Sequence, residues 1–192
     1  SSLATKIIET FVDEDIKPKL SQISHFVYSK FNHNQKAPIK ELDNNFYVLE
    51  LIHGPTFAFK DYAMQYLSEL FNYVLTKKNK KMLILGATSG DTGSAALEAF
   101  KSKSNSDIFI FFPYGRVSSV QQKQMTSIYQ NNAKSVAIKT DFDGCQKIVK
   151  NLFNDIEFRD KFSLTSVNSI NWGRLIPQIV YYFYGALKVG AP

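Results

Sequence analysis

Apolar residues in the second half of the chain follow two alternating patterns, which predict strands and helices in turn. Short apolar runs typical of buried strands occupy residues 81–87, 107–112, 135–139 and 163–167. Between and after them, apolar residues recur at helical spacing near 93–103, 118–130, 142–153 and 173–187. Such alternation is typical of an α/β fold, and it predicts a mostly parallel sheet with helices on both faces.

The first half of the chain is predicted to be mainly helical. Apolar residues at helical spacing cover 3–12 and 19–31, and Pro18 separates these two segments. Residues 46–52 alternate weakly and are rich in strand-forming types. An amphipathic helix is predicted over residues 60–76.

Composition and charge narrow the classes of function. Of the 192 residues, 44% are apolar and 21% are charged, which is a normal balance for a globular protein. The formal net charge of +6 raises the question of nucleic-acid binding, but the basic residues are dispersed. Their densest run, at 77–81, is typical of a solvated loop. Because no zinc-ligand pattern or RNA-binding aromatic motif accompanies the charge, we expect neither a nucleic-acid partner nor a metal ion.

The single cysteine, Cys145, rules out an internal disulfide. It lies in a helical pattern, where we expect a small buried apolar side chain rather than a nucleophile. The sequence contains no secretory leader and no apolar run of membrane-spanning length. These features favour a reducing, cytoplasmic setting without a membrane partner.

The most informative stretch, residues 85–93, is a polar loop between a predicted strand and a predicted helix. The first N–H groups of a helix have no intrahelical partner, and the helix dipole favours a negative ligand there. Hydroxyl groups of Thr88, Ser89 and Thr92 add donors, and Gly90 allows a ligand to approach the backbone. The same residue types also cap ordinary helices, so the loop by itself leaves both interpretations open.

A second polar loop, residues 168–174, follows the last predicted strand and opens the last predicted helix. Because ligands bind at the carboxyl ends of parallel strands, both loops are expected at one edge of the sheet. Asn168 and Ser169 supply polar groups, and Arg174 supplies a guanidinium fork suited to a phosphate. Here, too, the alternative is ordinary helix capping with an exposed Arg174.

Lys60 opens the predicted helix at 60–76 and follows a Gly-Pro turn and two phenylalanines. The positive end of a helix dipole and partial cover by aromatic rings both favour a free amine over an ammonium group. Such an amine can form a Schiff base with an aldehyde such as pyridoxal phosphate. The alternative is a lysine whose stem passes Phe59 to reach solvent.

Taken together, these segments resemble the threonine synthases, which are pyridoxal-phosphate enzymes of the tryptophan-synthase-β-like fold, or fold type II. The matching segments lie at 53–61, 87–93, 112–125, 141–146 and 168–174. They occur in the same order as in that family and at compatible spacings. The resemblance covers about residues 45–187, whereas the helical start of the chain fits less specifically.

The resemblance implies a cofactor, a substrate and their ligands. It implies pyridoxal 5'-phosphate as the cofactor, Lys60 as its Schiff-base lysine, and O-phospho-L-homoserine as the substrate. It assigns the substrate's carboxylate to Thr88, Ser89, Gly90 and Thr92, and the substrate's phosphate to Asn168, Ser169 and Arg174. The implied reaction is γ-elimination followed by β-addition of water, which yields L-threonine and phosphate in amino-acid biosynthesis.

Asp91 lies beside the cofactor in this comparison, but its role is left open. Relatives that act on other amino acids often carry asparagine there, and that amide donates to the phenolic oxygen of the cofactor. An ionised Asp91 cannot donate a hydrogen bond.

The chain departs from the family in length. Threonine synthases are considerably longer, and their glycine-rich loop for the cofactor phosphate has no counterpart in this sequence. We therefore interpret the chain as a truncated piece that is inactive alone, and we expect residues 46–52 and the helix at 60–76 to leave an apolar patch. The predicted division is a helical segment (1–45), the start of the larger cofactor-binding domain (46–80), a small α/β domain (81–187) and a truncated continuation (188–192).

Two other interpretations stay open. One is a different enzyme of the same fold, such as a serine/threonine dehydratase or a sulfhydrylase. The phosphate-binding set at 168–174 argues against it, because those substrates carry no γ-phosphate. The other is a non-catalytic binding module, supported by the missing phosphate loop. The sequence leaves the oligomeric state open.

Overall fold

The computed structural model describes residues 1–190, and its first part is helical. Helix α1 (Ser2–Ile8) runs into one 3-10 turn (Glu9–Phe11), and α2 (Lys17–Ser29) follows. Pro18 lies in the first turn of α2, where an N–H group would have no intrahelical partner. The two helices are therefore separate, as predicted.

A two-stranded antiparallel hairpin follows the helical part. It consists of β1 (Ile39–Asp43), which was not predicted, and β2 (Phe46–Leu49). The strand β1 escapes prediction because its residues after Ile39 are mostly charged and exposed. Phe46 is 60% exposed, and Tyr47 and Val48 are exposed as well, so the expected apolar patch is found at β2.

Helix α3 (Lys60–Lys78) lies between two hydrophobic cores. Tyr62 and Tyr66 belong to the core formed with the N-terminal helices, whereas Met64 and Leu67 belong to the core against the sheet. All four side chains are buried. The expectation that this helix would contribute to an exposed patch is therefore wrong over its first two turns, because both of its faces are covered.

The second half of the chain alternates strands and helices as predicted. In chain order the elements are β3 (Met82–Ala87), α4 (Asp91–Phe100), β4 (Ser106–Pro113), α5 (Ser119–Thr126), β5 (Ala133–Ile138), α6 (Phe142–Asn154), α7 (Ile156–Lys161), β6 (Leu164–Thr165) and α8 (Trp172–Val189). Only the short helix α7 was not predicted. The strands form one sheet of order β5-β4-β3-β6, and every neighbouring pair is parallel.

Helices cover this sheet, which confirms the α/β fold class. On β4, Ile108, Ile110 and Phe112 are buried in the core that includes α4, and the alternate Phe109 and Phe111 are half-buried. Helix α6 packs against β3 and β4. Among residues 1–190, none of the helices combines the length and the apolar character needed to span a bilayer.

Candidate active site

A cavity of about 470 Å³ lies at the carboxyl ends of β3 and β6, beside the first turn of α3. This is the sheet edge at which a parallel sheet is expected to bind its ligand. The cavity brings together all nine residues singled out in the sequence. Its lining consists of Lys60, Ala87, Thr88, Ser89, Gly90, Asp91, Thr92, Gln121, Phe142, Gln146, Asn168, Ser169 and Arg174.

Lys60 is the first residue of α3, as predicted, and its side chain is 18% exposed. The Nζ atom lies 3.5 Å from Oδ2 of Asp91 and 4.5 Å from the centroid of the Phe59 ring. The alternative of a lysine that extends into solvent is therefore wrong, because the amine faces a carboxylate inside the cavity.

The turn before Lys60 is held by the buried carboxylate of Asp61. Its Oδ2 accepts a hydrogen bond from the N–H of Thr56 at 2.8 Å, and its Oδ1 accepts one from the Thr56 hydroxyl at 2.7 Å. Burial raises the pKa of the Asp61 carboxyl, and the hydrogen bonds from Thr56 oppose that rise. Within the turn, Phe57 has a φ of 60°, which is uncommon for a residue other than glycine.

In the loop between β3 and α4, the Thr88 hydroxyl holds the backbone in shape. Its Oγ1 accepts from the N–H groups of Gly90 and Gly93 at 3.0 and 3.1 Å and donates to the Gly90 carbonyl at 2.9 Å. The expectation that this hydroxyl is a free donor for an anion is therefore wrong. The hydroxyls of Ser89 and Thr92 line the cavity without such bonds to the loop.

Arg174 is buried, contrary to the alternative of an exposed capping residue. Its Nη1 donates to the carbonyl of Val167 at 3.0 Å. Its Nε is buried and has no hydrogen-bond partner among the described residues. Burial lowers the pKa of the guanidinium, because desolvation disfavours its charge. A buried cationic donor without an acceptor is suited to an anion bound in the cavity beside it.

Sequence reasoning missed Gln121 of α5, which reaches the cavity from the side. Its Nε2 donates to Oδ1 of Asp91 at 2.6 Å, so the two carboxylate oxygens of Asp91 face Gln121 and Lys60. A Cβ atom at Gly90 would lie 2.5 Å from the Gln121 amide, so this glycine is needed for the approach. Gln121 falls within the segment 112–125, which matched the family, but nothing in its spacing indicates a site residue.

No protein-family model matches the chain, but individual relatives do. It is 48% identical to a threonine synthase of Pseudomonas aeruginosa over 195 aligned residues, which cover 99% of this chain and 41% of that protein. It is 40% identical to a threonine synthase of Saccharomyces cerevisiae, over 92% of this chain and 36% of the relative. The chain thus spans about two fifths of the length of the curated relatives it matches.

Comparison with solved structures also shows similarity to part of a threonine synthase. The fold superposes on a pyridoxal-phosphate-bound threonine synthase from Brucella melitensis with a TM-score of 0.94 and 49% identity, covering 100% of this chain and 41% of that one. A diaminopropionate ammonia lyase from Escherichia coli matches with a TM-score of 0.60 at 14% identity, covering 90% of this chain and 51% of that one. That second match shows the fold alone.

The chain has the fold of part of the fold type II pyridoxal-phosphate enzymes. Within that class it is similar to the threonine synthases over nearly its whole length. The resemblance noted in the sequence is therefore confirmed.

The donor set of the cavity fits a pyridoxal-phosphate site. The group needs an amine that reaches its aldehyde, and the Lys60 amine points into the cavity from the start of a helix. The amine needs room on its free side, and the cavity of about 470 Å³ supplies it. The Nε of Arg174, which has no hydrogen-bond partner within residues 1–190, leaves a cationic donor for a second anionic group.

Proposed function

We propose that this chain supplies the Lys60 side of the active site of a threonine synthase that acts on O-phospho-L-homoserine with pyridoxal 5'-phosphate. The observation that carries the proposal is that the Lys60 amine, the 88–92 loop and the buried Arg174 line one cavity. We also propose the domain division at residues 45, 80 and 187. A reducing compartment such as the cytoplasm is the proposed location, since Cys145 is a buried free thiol.

Each part of the cavity has one task in this proposal. Pyridoxal phosphate, when bound, supplies an electron sink for negative charge that develops on the substrate. Lys60 moves protons at the α and β carbons of the substrate, as general acid and base. The loop at 88–92, at the positive end of α4, holds the substrate's carboxylate. Asn168, Ser169 and Arg174 hold the phosphate until it leaves the γ carbon, and water then adds to the β carbon.

The test uses the full natural protein that contains these residues. With added pyridoxal phosphate, we expect threonine and inorganic phosphate to form from O-phosphohomoserine in equal amounts. L-Serine and L-threonine serve as comparison substrates for a dehydratase. Faster formation of a keto acid from either of them than of threonine from O-phosphohomoserine would contradict the proposal.

A further inference from the structure

The buried carboxylate of Asp61 has no part in the chemistry assigned above, yet it lies beside Lys60 in the chain. It is fully buried, although an aspartate is rarely buried without a partner. Its hydrogen bonds go to the turn that precedes Lys60: two come from Thr56, and a longer one, at 3.5 Å, comes from the N–H of Ala58. Asp61 therefore ties the first turn of α3 back onto the segment before it.

That segment has a conformation that a free chain would not keep. Phe57 has a φ of 60°, a region that costs non-glycine residues about 1 kcal/mol or more. Gly54 packs so closely that a Cβ atom there would lie 2.4 Å from Oδ2 of Asp61. The carboxylate thus lies at the centre of the turn, and the turn depends on it.

A second contact ties the same turn to helix α5. Nε2 of Gln124 donates to the carbonyl of Thr56 at 3.2 Å. The same helix carries Gln121, which holds the carboxylate of Asp91 opposite the Lys60 amine. The backbone of Lys60 and the partner of its amine are therefore fixed with respect to each other through α5.

We propose that Asp61 is a positioning residue for Lys60, acting through Thr56 and the strained turn; this inference rests on the proposed function of Lys60. The carboxylate touches neither substrate nor cofactor in this role. It sets the start of α3, and hence the direction in which the Lys60 amine enters the cavity. Removing the hydroxyl of Thr56 takes the donor from Oδ1 of Asp61, while Oδ2 keeps its bonds from the N–H groups of Thr56 and Ala58.

The experiment compares Thr56→Val with Thr56→Ser in the full natural protein. The rate at which borohydride traps pyridoxal phosphate on Lys60 is measured by peptide mapping, together with kcat and KM for O-phosphohomoserine. We expect Thr56→Val to lower the trapping rate and kcat at least tenfold with KM changed less than threefold. Thr56→Ser, which keeps the hydroxyl, should stay within twofold of the wild type.

The control for a general loss of stability is Ser24→Ala. It removes a buried hydrogen bond of 2.7 Å between Ser24 of α2 and Tyr66 of α3. This bond reaches the same helix as Lys60 but lies away from the turn. If Ser24→Ala lowers the melting temperature as much as Thr56→Val and slows trapping equally, the role of Asp61 is only structural and the inference is wrong. Trapping in Thr56→Val at the wild-type rate would also overturn it.

A second reagent separates this inference from the proposed function. Trinitrobenzenesulfonate labels lysine amines without any cofactor, and mapping gives the labelling rate of Lys60 relative to the exposed Lys77. If the wild type never traps pyridoxal phosphate, the proposed function fails. The labelling ratio still decides the role of Asp61: we expect Thr56→Val, but not Thr56→Ser, to change it at least threefold, and an unchanged ratio refutes the role.

Discussion

The amine of Lys60 and the carboxylate of Asp91 face each other across the cavity, with Nζ 3.5 Å from Oδ2. Each group opens a helix, α3 and α4 respectively, so two helix starts point at one space. Helix starts favour negative groups, so Asp91 is well placed and Lys60 is not. The carboxylate therefore compensates in part for the position of the amine.

Replacing Asp91 with asparagine should lower turnover clearly while it changes the free energy of unfolding only slightly. The Asp91 side chain is 44% exposed, and such partly exposed ion pairs contribute only about 0–1 kcal/mol. We expect the free energy of unfolding in urea to fall by less than about 1 kcal/mol. Gln121 and Lys60 face different oxygens of Asp91, and in asparagine one of these positions becomes an NH₂ group that faces a donor, so turnover should fall. A large stability loss with unchanged turnover would contradict this prediction.

Replacing Lys60 with alanine should abolish covalent trapping of pyridoxal phosphate and threonine formation while the fold is kept. The amine is the only part of this side chain that the proposed chemistry uses. Borohydride reduction and peptide mapping measure the trapping, and circular dichroism checks the fold. Lys77→Ala, at an exposed ion pair with Asp15, is the matched control. Trapping on another lysine in the wild type would show that the assignment is wrong.

Replacing Arg174 with lysine should impair use of the substrate's phosphate. Lysine cannot donate to Val167 and to a phosphate in the fork geometry of a guanidinium. Losing one charge-assisted hydrogen bond costs about 1.5–3 kcal/mol, which corresponds to roughly ten- to a hundredfold in kcat/KM. Steady-state kinetics beside a cofactor titration measure this. An equal loss of cofactor affinity would instead place Arg174 at the cofactor.

Replacing Gly93 with alanine should destabilise the protein and disturb the 88–92 loop. A Cβ atom there would lie 2.5 Å from Cγ2 of Thr88 and 2.7 Å from Sδ of Met125. Overpacking of this kind costs about 1–3 kcal/mol. In the matched control, Gly185→Ala, the new Cβ lies 3.7 Å from Leu49, an ordinary contact in helix α8. We expect that variant to be neutral or more stable by up to about 1 kcal/mol in urea unfolding.

Stability should fall at alkaline pH because of buried tyrosines. Burial raises the pKa of Tyr66 to about 12, against about 10 in an unfolded chain. Below pH 10 both states keep the phenol proton, so stability is unaffected there. Between pH 10 and 12 only the unfolded state loses it, which favours unfolding. Urea midpoints across this range should fall less steeply in Tyr66→Phe than in the wild type, and equal slopes would contradict this assignment.

The sheet could be predicted from the sequence because each strand and each helix shows its own apolar pattern within a short stretch of chain. The strand cores, including β3 and β4, read as continuous apolar runs, and the segments between them follow a helical period. Strand β1 and helix α7 were missed because both are short, largely exposed and therefore carry no buried pattern.

The candidate site was only partly predictable. Lys60 and the two loops are recognisable because their residue types are unusual next to a predicted helix start. The role of the Thr88 hydroxyl and the contact from Gln121 depend on distances between elements that are separate in sequence. No local pattern specifies such distances, so these parts required the structure.

The pairing of β6 with β3 has a consequence for how the protein is made. It joins Leu83 to Leu164, about 80 residues apart, whereas the turn before Lys60 closes over a few residues. Long-range pairings form late, since the chain between them must first be ordered. During synthesis the Lys60 amine leaves the ribosome well before Arg174, so the nascent chain carries this amine before the arginine that completes the cavity.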